Sequence, residues 1–239
     1  MIAARWEIEL NSGATGQDMS KPKKIIILGT GGNSVDILDT IGELNLESGI
    51  KAYECLGFLD DNPEALGRDI AGAKVIGPLS AANDFPDAFF VNGIGSPSNF
   101  WKKSEIIEKT GVRPDRFETI VHPSASVSKL ATLGRGVVIL QNVTIASFAK
   151  IGNHVIVLPA SVISHDAEIG NYTCIAAGVC ISGSVEVGES CYLGTNSSLI
   201  SNIRVGNHSL IGMGGVVLKN VPENKVAAGC PARVIRDTR

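Results

Sequence analysis

Aliphatic side chains recur at every sixth position from Val121 to Val217. The residue four places after each of them is usually small or β-branched, as at Ala125, Val143 and Ala167. Neither the 3.6-residue period of an α-helix nor the two-residue alternation of a β-strand produces this pattern. A sustained period of six predicts a repeat architecture. The aliphatic series comprises Val121, Val127, Leu133, Ile139, Ile145, Ile151, Val157, Ile163, Ile169, Ile175, Ile181, Val187, Leu193, Leu199, Val205, Ile211 and Val217.

One large aliphatic residue and one small inward residue in every six suit a parallel β-helix with three flat faces, one repeat of six per face. Successive coils then lie at the spacing of neighbouring strands, roughly 4.8 Å. The seventeen repeats make nearly six coils. Only three of the twelve aromatic residues, Phe148, Tyr172 and Tyr192, follow residue 120, as a narrow interior requires.

The first half of the chain has a different pattern. A continuous apolar run at residues 24–28 leads into a glycine-rich segment at 29–34, and apolar residues then follow at helical spacing. This order predicts a strand, a glycine turn and a helix, whose N-terminal N–H groups can approach a phosphate. The third glycine of the dinucleotide fingerprint is replaced by Ser34, so the segment is only weak support for NAD.

Two further strands are predicted at residues 53–59 and 88–95, and a helix from residue 99 to 109. The first of these strands ends in Asp60 and Asp61. A carboxylate at such a strand end can bind a ribose hydroxyl or a base, although the segment Asp-Asp-Asn-Pro is also a turn signal. The whole predicts a small Rossmann-like α/β domain of parallel strands.

The change of period near residue 120 predicts two domains. We expect a flexible N-terminal extension at residues 1–21, an α/β domain at 22–118 and the β-helix at 119–239. Residues 1–120 contain 12 Lys and Arg against 18 Asp and Glu, whereas residues 121–239 contain 9 against 6. A slightly acidic protein is not built for nonspecific binding of nucleic acid.

The five cysteines include no C-x-x-C pair, which favours reduced thiols and a cytoplasmic protein. No run of eighteen apolar residues and no secretory signal is found in the sequence.

An aliphatic residue, then glycine, then a small residue at the fifth place occurs in residues 151–155, 169–173, 187–191 and 205–209. This motif resembles that of the hexapeptide-repeat acyltransferases. The resemblance implies that the β-helix is left-handed and that the protein assembles as a homotrimer.

The order of the N-terminal segments in front of these repeats resembles one subfamily, the bacterial sialic-acid and nucleotide-amino-sugar acetyltransferases. The resemblance implies that the α/β domain binds a nucleotide sugar and that the β-helix binds acetyl-CoA. The subfamily commonly has histidine where this chain has Asn33, and it can have a second histidine where this chain has Cys174. The substrate-binding residues predicted on this basis are Gly29, Thr30, Gly31, Gly32, Asn33, Asp60, Asp61 and Gly95.

His165 is two places after Ile163 in the repeat, which directs its side chain outward. With Asp166 it resembles the catalytic His-acidic segment of the subfamily. Acyl transfer needs a base within reach of the proton on the attacking atom, and an acidic neighbour can orient the imidazole. We therefore predict that His165 is the general base and that Asp166 orients it. Gly183 lies one coil further on, where its N–H could stabilise the oxyanion.

Glycine-rich segments near the C-terminus resemble the CoA-contacting coils of the family, and Lys219 and Arg233 could meet CoA phosphates. The cofactor-binding residues predicted on this basis are Gly194, Gly212, Gly214, Lys219, Pro231, Ala232 and Arg233. No metal is predicted. The zinc carbonic anhydrases that share this β-helix place two histidine ligands close together, whereas His154 and His165 lie eleven residues apart in different frame positions.

The predicted function is acetyl-CoA-dependent N-acetylation of a nucleotide-linked amino sugar for surface glycan synthesis. O-acetylation of a sugar such as sialic acid would use the same site with a hydroxyl acceptor. A non-catalytic trimer that binds a nucleotide or sugar is the alternative from another class, and an NAD-linked oxidoreductase is disfavoured by Ser34.

Overall fold

The computed structural model describes residues 21–239. The predicted extension at residues 1–21 therefore lies outside the described residues, apart from Lys21. An α/β domain comes first, and a parallel β-helix follows. The elements of the α/β domain are β1 (Lys23–Leu28), α1 (Gly32–Ser48), β2 (Tyr53–Leu59), β3 (Asp69–Ile70), β4 (Ala73–Gly77), β5 (Phe89–Asn92) and α2 (Lys103–Lys109).

The sheet of this domain has the strand order β3-β4-β2-β1-β5. Strand β1 lies between β2 and β5, and its residues 25–28 are fully buried, which explains why this strand is a continuous apolar run. Strands β1, β2, β4 and β5 pair in parallel, as expected from the sequence. Strand β3 is the exception. It pairs antiparallel with β4 because the turn through Ala71 and Gly72, both at positive φ, leaves room only for a tight hairpin.

The predicted helix at residues 99–109 is only partly α-helical. A turn of 3₁₀ helix spans Phe100–Lys102, and α2 then runs from Lys103 to Lys109. This segment ends at Gly111, which has φ +65° and whose N–H donates a hydrogen bond to the carbonyl of Glu108.

The β-helix consists of two-residue strands, each of which ends at an aliphatic position of the six-residue repeat. They are β6 (Ile120–Val121), β7 (Ser126–Val127), β8 (Thr132–Leu133), β9 (Val138–Ile139), β10 (Thr144–Ile145), β11 (Lys150–Ile151), β12 (Ile156–Val157), β13 (Val162–Ile163), β14 (Glu168–Ile169), β15 (Cys174–Ile175), β16 (Cys180–Ile181), β17 (Glu186–Val187), β18 (Tyr192–Leu193), β19 (Ser198–Leu199), β20 (Arg204–Val205), β21 (Leu210–Ile211) and β22 (Val216–Val217). The chain closes with a hairpin of β23 (Lys225–Gly229) and β24 (Ala232–Asp237).

These strands form three parallel sheets, one on each face. Strands β6, β9, β12, β15, β18, β21 and β23 form the domain-facing sheet, which packs on the α/β domain. Strands β7, β10, β13, β16, β19 and β22 form the open sheet. Strands β8, β11, β14, β17 and β20 form the charged sheet, whose outward residues include Lys150, Glu168, Glu186 and Arg204.

Each strand pairs with the strand eighteen residues away, as in the pair Thr144 and Val162, so one coil contains three repeats of six. From Ile139 to Val217 every aliphatic position is at most 4 % exposed. From Ile139 to Ile211 the turn residue three places after each aliphatic position, such as Asp166 at φ +59°, adopts a left-handed conformation, and the residue that follows returns to the interior. The predicted α/β domain and left-handed parallel β-helix are therefore the fold of this chain.

The outward residues of the domain-facing sheet are apolar where they meet the α/β domain. Ile120, Val138 and Ile156 are at most 1 % exposed and belong to the same cluster as Ile25 and Ile27 of β1. The α/β domain is thus held against one face of the β-helix. Within residues 21–239 no helix is both long enough and apolar enough to cross a membrane.

Candidate functional site

A cavity of about 480 Å³ opens where β1 runs into α1. Gly29 ends β1 at φ +88°, which a residue with a side chain rarely adopts, and a Cβ there would also overlap Ile94. The N-terminus of α1, beginning at Gly32, points its free N–H groups into this space. All eight predicted substrate-binding residues line the cavity: Gly29, Thr30, Gly31, Gly32, Asn33, Asp60, Asp61 and Gly95.

Two carboxylates at the end of β2 shape the cavity wall. Asp60 accepts a hydrogen bond from the Thr30 hydroxyl at 2.6 Å and another from the Asn62 N–H at 2.9 Å. Asp61 accepts one from the Leu79 N–H at 2.9 Å. The two carboxylates therefore order the surrounding loops, which agrees with Asp-Asp-Asn-Pro as a turn signal. Both residues also line the cavity in which a ribose or base would lie.

Ser34 takes the place of the third fingerprint glycine without opening the helix–sheet contact. It is fully buried, and a Cβ on Gly93 would lie 2.9 Å from its Cα. Close packing between α1 and the end of β5 is therefore made possible by Gly93 instead of a glycine at position 34.

Sequence reasoning missed several residues of the opposite cavity wall, among them Ile94, Ser96, Asn99 and Ile106. Ser96 donates its hydroxyl to Asn99 Oδ1 at 2.9 Å, and its N–H donates to the same oxygen at 2.8 Å. The signal was the Ser-x-x-Asn segment at residues 96–99, a polar turn that begins four residues after β5 ends at the carboxyl edge of the sheet.

His165 and Asp166 form an exposed pair at the corner between the open sheet and the charged sheet. Their side chains are 67 % and 54 % exposed, and His165 Nδ1 lies 2.8 Å from Asp166 Oδ2. If Nδ1 carries the proton and donates a hydrogen bond to this carboxylate, Nε2 keeps its lone pair and can accept a proton.

Gly183 lies directly beneath the imidazole, one coil further on. A Cβ at this position would lie 2.6 Å from Cε1 and 2.7 Å from Nε2 of His165. The backbone of Gly183 is in an ordinary conformation, so glycine is needed here for the space above it. Among the described residues the Gly183 N–H has no acceptor in the protein.

Lys219 lies on the same corner as His165, three coils further along the axis, since the two residues follow β22 and β13 at the same place in the repeat. At the spacing of neighbouring strands this separation is about 14 Å. Its side chain is exposed. The corner thus places a cation in line with His165 and Gly183.

The predicted CoA-contacting glycines lie on another corner, between the domain-facing sheet and the open sheet. Gly194 and Gly212 have a structural reason to be glycine. A Cβ on Gly194 would lie 2.6 Å from the Met213 nitrogen, and one on Gly212 would lie 2.8 Å from the Ala228 Cβ. Gly214, at φ +64°, has open space around it. Pro231 lies in the turn of the C-terminal hairpin, and Ala232 and the exposed Arg233 are the first residues of its second strand, β24.

A single chain does not bring all the predicted groups together. His165 lies on one edge of the open sheet, Gly194 and Gly214 lie on its other edge, and the cavity lies on the side of the domain-facing sheet.

Asn33 and Cys174 are the two positions at which this chain differs from the subfamily that it resembles, and both contact Gly95. Asn33 Nδ2 donates to the Gly95 carbonyl at 3.0 Å. A Cβ on Gly95 would overlap Cys174 Sγ, so a residue with a side chain does not fit at position 95, where the cavity wall meets the β-helix. Within residues 21–239 no group of three or more His, Cys, Asp or Glu side chains could hold a metal ion.

Comparison with known proteins gives matches to both halves of the chain. Residues 24–109 match the family model of the PglD N-terminal domain, and residues 148–183 match that of the bacterial transferase hexapeptide, six repeats. A UDP-N-acetylbacillosamine N-acetyltransferase of Bacillus subtilis (strain 168) is 33 % identical over 124 residues, which are 49 % of this chain and 51 % of that protein. The chain thus matches about half the length of this curated relative.

Solved structures share the fold over nearly the whole chain. The acetyltransferase domain of PglB from Neisseria gonorrhoeae FA1090, in complex with acetyl coenzyme A, has a TM-score of 0.77 at 24 % identity and covers 90 % of this chain and 100 % of its own. PerB from Caulobacter crescentus, in complex with CoA and GDP-perosamine, also has a TM-score of 0.77 at 24 % identity and covers 89 % and 97 %.

Proposed function

We propose that this chain, which matches the PglD N-terminal domain over residues 24–109 and the bacterial transferase hexapeptide over residues 148–183, is an acetyl-CoA-dependent N-acetyltransferase of a nucleotide-linked amino sugar. The observation that carries the proposal is the exposed His165–Asp166 pair held over Gly183. The glycine-loop cavity of the same chain supplies a place for the nucleotide. The curated relative's name, a UDP-sugar N-acetyltransferase, supports the same reaction.

In this proposal residues 22–118 bind the nucleotide sugar and residues 119–239 perform acetyl transfer. The sugar amine attacks the thioester carbonyl carbon of acetyl-CoA, and His165 Nε2 accepts the proton that the amine loses. Asp166 keeps the imidazole oriented through the contact between its Oδ2 and His165 Nδ1. The C–S bond then breaks, and the leaving thiolate of CoA takes the proton from His165, which gives an amide, free CoA and the neutral imidazole.

The Gly183 N–H is the proposed donor to the carbonyl oxygen when that oxygen becomes negative. It is fixed by the coil and lies beneath the imidazole, so it needs no rearrangement during the reaction. An arm of acetyl-CoA that runs along this corner would bring the phosphates of the cofactor toward Lys219.

A homotrimer is part of the proposal, because in one chain alone His165 lies apart from the cavity and from the glycine corner, the corner that carries Gly194, Gly212 and Gly214. Packing of the open sheet against a second copy would bring them together. A cytoplasmic location and a role in surface glycan synthesis complete the proposal, and both come from the family resemblance.

The test is CoA release from acetyl-CoA with a panel of UDP-, GDP- and dTDP-linked amino sugars. Each is paired with the same nucleotide sugar carrying a hydroxyl in place of the amine, and free sialic acid is included. CoA should be measured by chromatography, because the exposed Cys180 and Cys230 would consume a thiol reagent. Turnover restricted to amino compounds supports N-acetylation, turnover of hydroxyl compounds indicates O-acetylation, and no turnover with any acceptor contradicts the proposal.

Replacement of His165 by Ala should lower kcat by roughly 10²- to 10⁴-fold, the usual contribution of a general base. The matched control is His208→Ala, since His208 occupies a turn of another corner, away from the pair. A fully active His165→Ala protein would remove His165 from the mechanism.

A further inference from the structure

A lysine is completely buried between the two domains. Lys103, the first residue of α2, is 0 % exposed, although lysine is rarely buried without a charged partner. Its ammonium group donates to the His154 carbonyl at 2.5 Å and to Cys174 Sγ at 3.5 Å. Both acceptors belong to the β-helix, and no carboxylate pairs with Lys103 in the described part of the chain.

Such an arrangement is poorly explained by stability alone. Burial lowers the pKa of Lys103, which reflects the cost of holding a charge there. An apolar side chain of similar size in a dry interface is often as stable as a buried polar group or more so. We therefore looked for a role of Lys103 in positioning the two groups that it contacts, the His154 carbonyl and Cys174 Sγ.

Cys174, one of the two acceptors, touches the wall of the cavity. Only a hydrogen at Gly95 fits against its Sγ, and the Gly95 carbonyl holds Asn33 at 3.0 Å. A continuous path of contacts thus leads from the glycine loop through Gly95 and Cys174 to Lys103. The same path ends on the backbone of the β-helix at the His154 carbonyl.

We propose that Lys103 is a positioning residue for the acceptor end of the site: it holds Cys174 against Gly95 and so fixes the cavity wall relative to the acetyl-transferring coils. The inference rests on the function proposed above. In the proposed trimer the α/β domain of one chain delivers the acceptor amine and the β-helix of a neighbouring copy carries the base. The distance between them therefore depends on how rigidly this seam holds the α/β domain on its own β-helix, which packs against that copy. A displacement of about 1 Å at the reacting atoms can cost roughly 100-fold in rate.

The first test is Lys103→Met in the full-length protein. Methionine has a similar length, lacks the donor and suits a dry site. The matched control is Lys102→Met, because Lys102 is the exposed neighbour in sequence. The substrate is whichever UDP-, GDP- or dTDP-linked amino sugar the wild-type protein turns over fastest.

For Lys103→Met we expect kcat to fall about 10- to 100-fold and KM for the amino sugar to rise several-fold. KM for acetyl-CoA should change less than KM for the amino sugar, because neither Lys103 nor Cys174 is among the residues proposed to contact CoA. The melting temperature should be unchanged or higher, since an apolar group replaces a buried amine. A purely structural role would give the opposite result, with a lower melting temperature and unchanged kinetic constants.

The second test replaces Cys174. Cys174→Ala removes the acceptor and leaves a gap, whereas Cys174→Ser keeps an acceptor of similar size. We expect the Ala variant to resemble Lys103→Met and the Ser variant to recover to within about threefold of the wild type. The double variant that combines Lys103→Met with Cys174→Ala should be no slower than either single variant, because residues that act as a unit are not additive.

The outcomes separate the two proposals. If the wild-type protein turns over an amino sugar and Lys103→Met has the same constants as Lys102→Met, the positioning role is wrong. Fully multiplicative losses in the double variant would also overturn it. If the wild-type protein neither binds nor acetylates any member of the panel, the proposed function fails, and this inference fails with it.

Discussion

The side chain of His165 and the absence of a side chain at Gly183 depend on each other. The imidazole lies over the glycine at a distance that leaves no room for a methyl group. Glycine is therefore required at position 183 for steric reasons, in addition to its proposed role as an N–H donor. A substitution at this position tests whether the proposed function of His165 depends on where its ring lies.

Replacement of Gly183 by Ala should lower kcat by about 100-fold, because the added Cβ forces the His165 ring out of its position. Thermal stability should change little, since the backbone conformation suits alanine. The control is Gly42→Ala in α1, where a Cβ would meet nothing within 4 Å. Retention of full activity in Gly183→Ala would show that the imidazole does not need this position.

His154 is a buried histidine whose charge state affects folding. It is 6 % exposed, stacks on Tyr172 at 5.3 Å between ring centroids and meets the edge of Phe117 at 4.6 Å. Burial, and secondarily the charge of Lys103, lowers its pKa from 6.5 to about 4. Between these two values the unfolded chain takes up a proton that the folded chain does not.

Stability should therefore fall as the pH falls from about 6.5 to 4, with a contribution from His154 of at most about 3 kcal/mol. His154→Asn removes the titration and suits the left-handed turn, where φ is +57°. The measurement is the urea midpoint at pH 7 and pH 4.5 at one protein concentration. The matched control is His208→Asn, at φ +55° in the equivalent turn of a later coil. An equal pH dependence in both variants would contradict the prediction.

The two residues of a single β-helix strand differ in their exposure to solvent. In β13, Ile163 is fully buried in the interior, whereas its neighbour Val162 is 37 % exposed on the open sheet. Each coil contributes one such interior position per face, and these stack into ladders that hold the coils together. The stability of the cylinder therefore depends on the residues of the six-residue period and little on those beside them.

Ile163→Ala should destabilise the protein by about 2 to 5 kcal/mol, because the narrow interior cannot close around the lost atoms. Val162→Ala on the same strand should cost about 0.5 kcal/mol or less in the isolated chain. The comparison is made by thermal unfolding. Equal effects of the two substitutions would mean that the interior ladder does not dominate stability.

The domain-facing sheet makes the whole molecule one packed unit in this structure. Ile156 points away from the β-helix interior, yet it is 1 % exposed because the α/β domain covers it. Phe100 meets Tyr192 across the same seam, with ring centroids 6.0 Å apart. Both the cavity and the proposed role of Lys103 depend on this seam staying closed.

Ile156→Ala should therefore cost about as much as an interior substitution, roughly 2 to 4 kcal/mol, although the residue faces outward in the repeat. The same Val162→Ala variant is the control, because it faces outward on an uncovered sheet. A loss of stability no larger than that of the control would indicate that the two domains separate in solution.

The sequence determined the β-helix by itself because the period of six is a local signal that no other regular structure produces. It also placed the glycine loop, Asp60, Asp61 and Gly95 around one cavity, since the carboxyl ends of parallel strands meet at one edge. The family resemblance pointed to His165, and its outward direction followed from the repeat.

Only the tertiary structure decided what depends on contacts between distant segments. The antiparallel pairing of β3 and the burial of Lys103 between two domains have no periodic signal in the sequence. Gly194 and Gly212 turned out to be required by the next coil, although their sequence motif alone favours a ligand. The separation of His165 from the glycine corner likewise follows from which sheet each residue borders, because three corners of one cylinder cannot meet within a single chain.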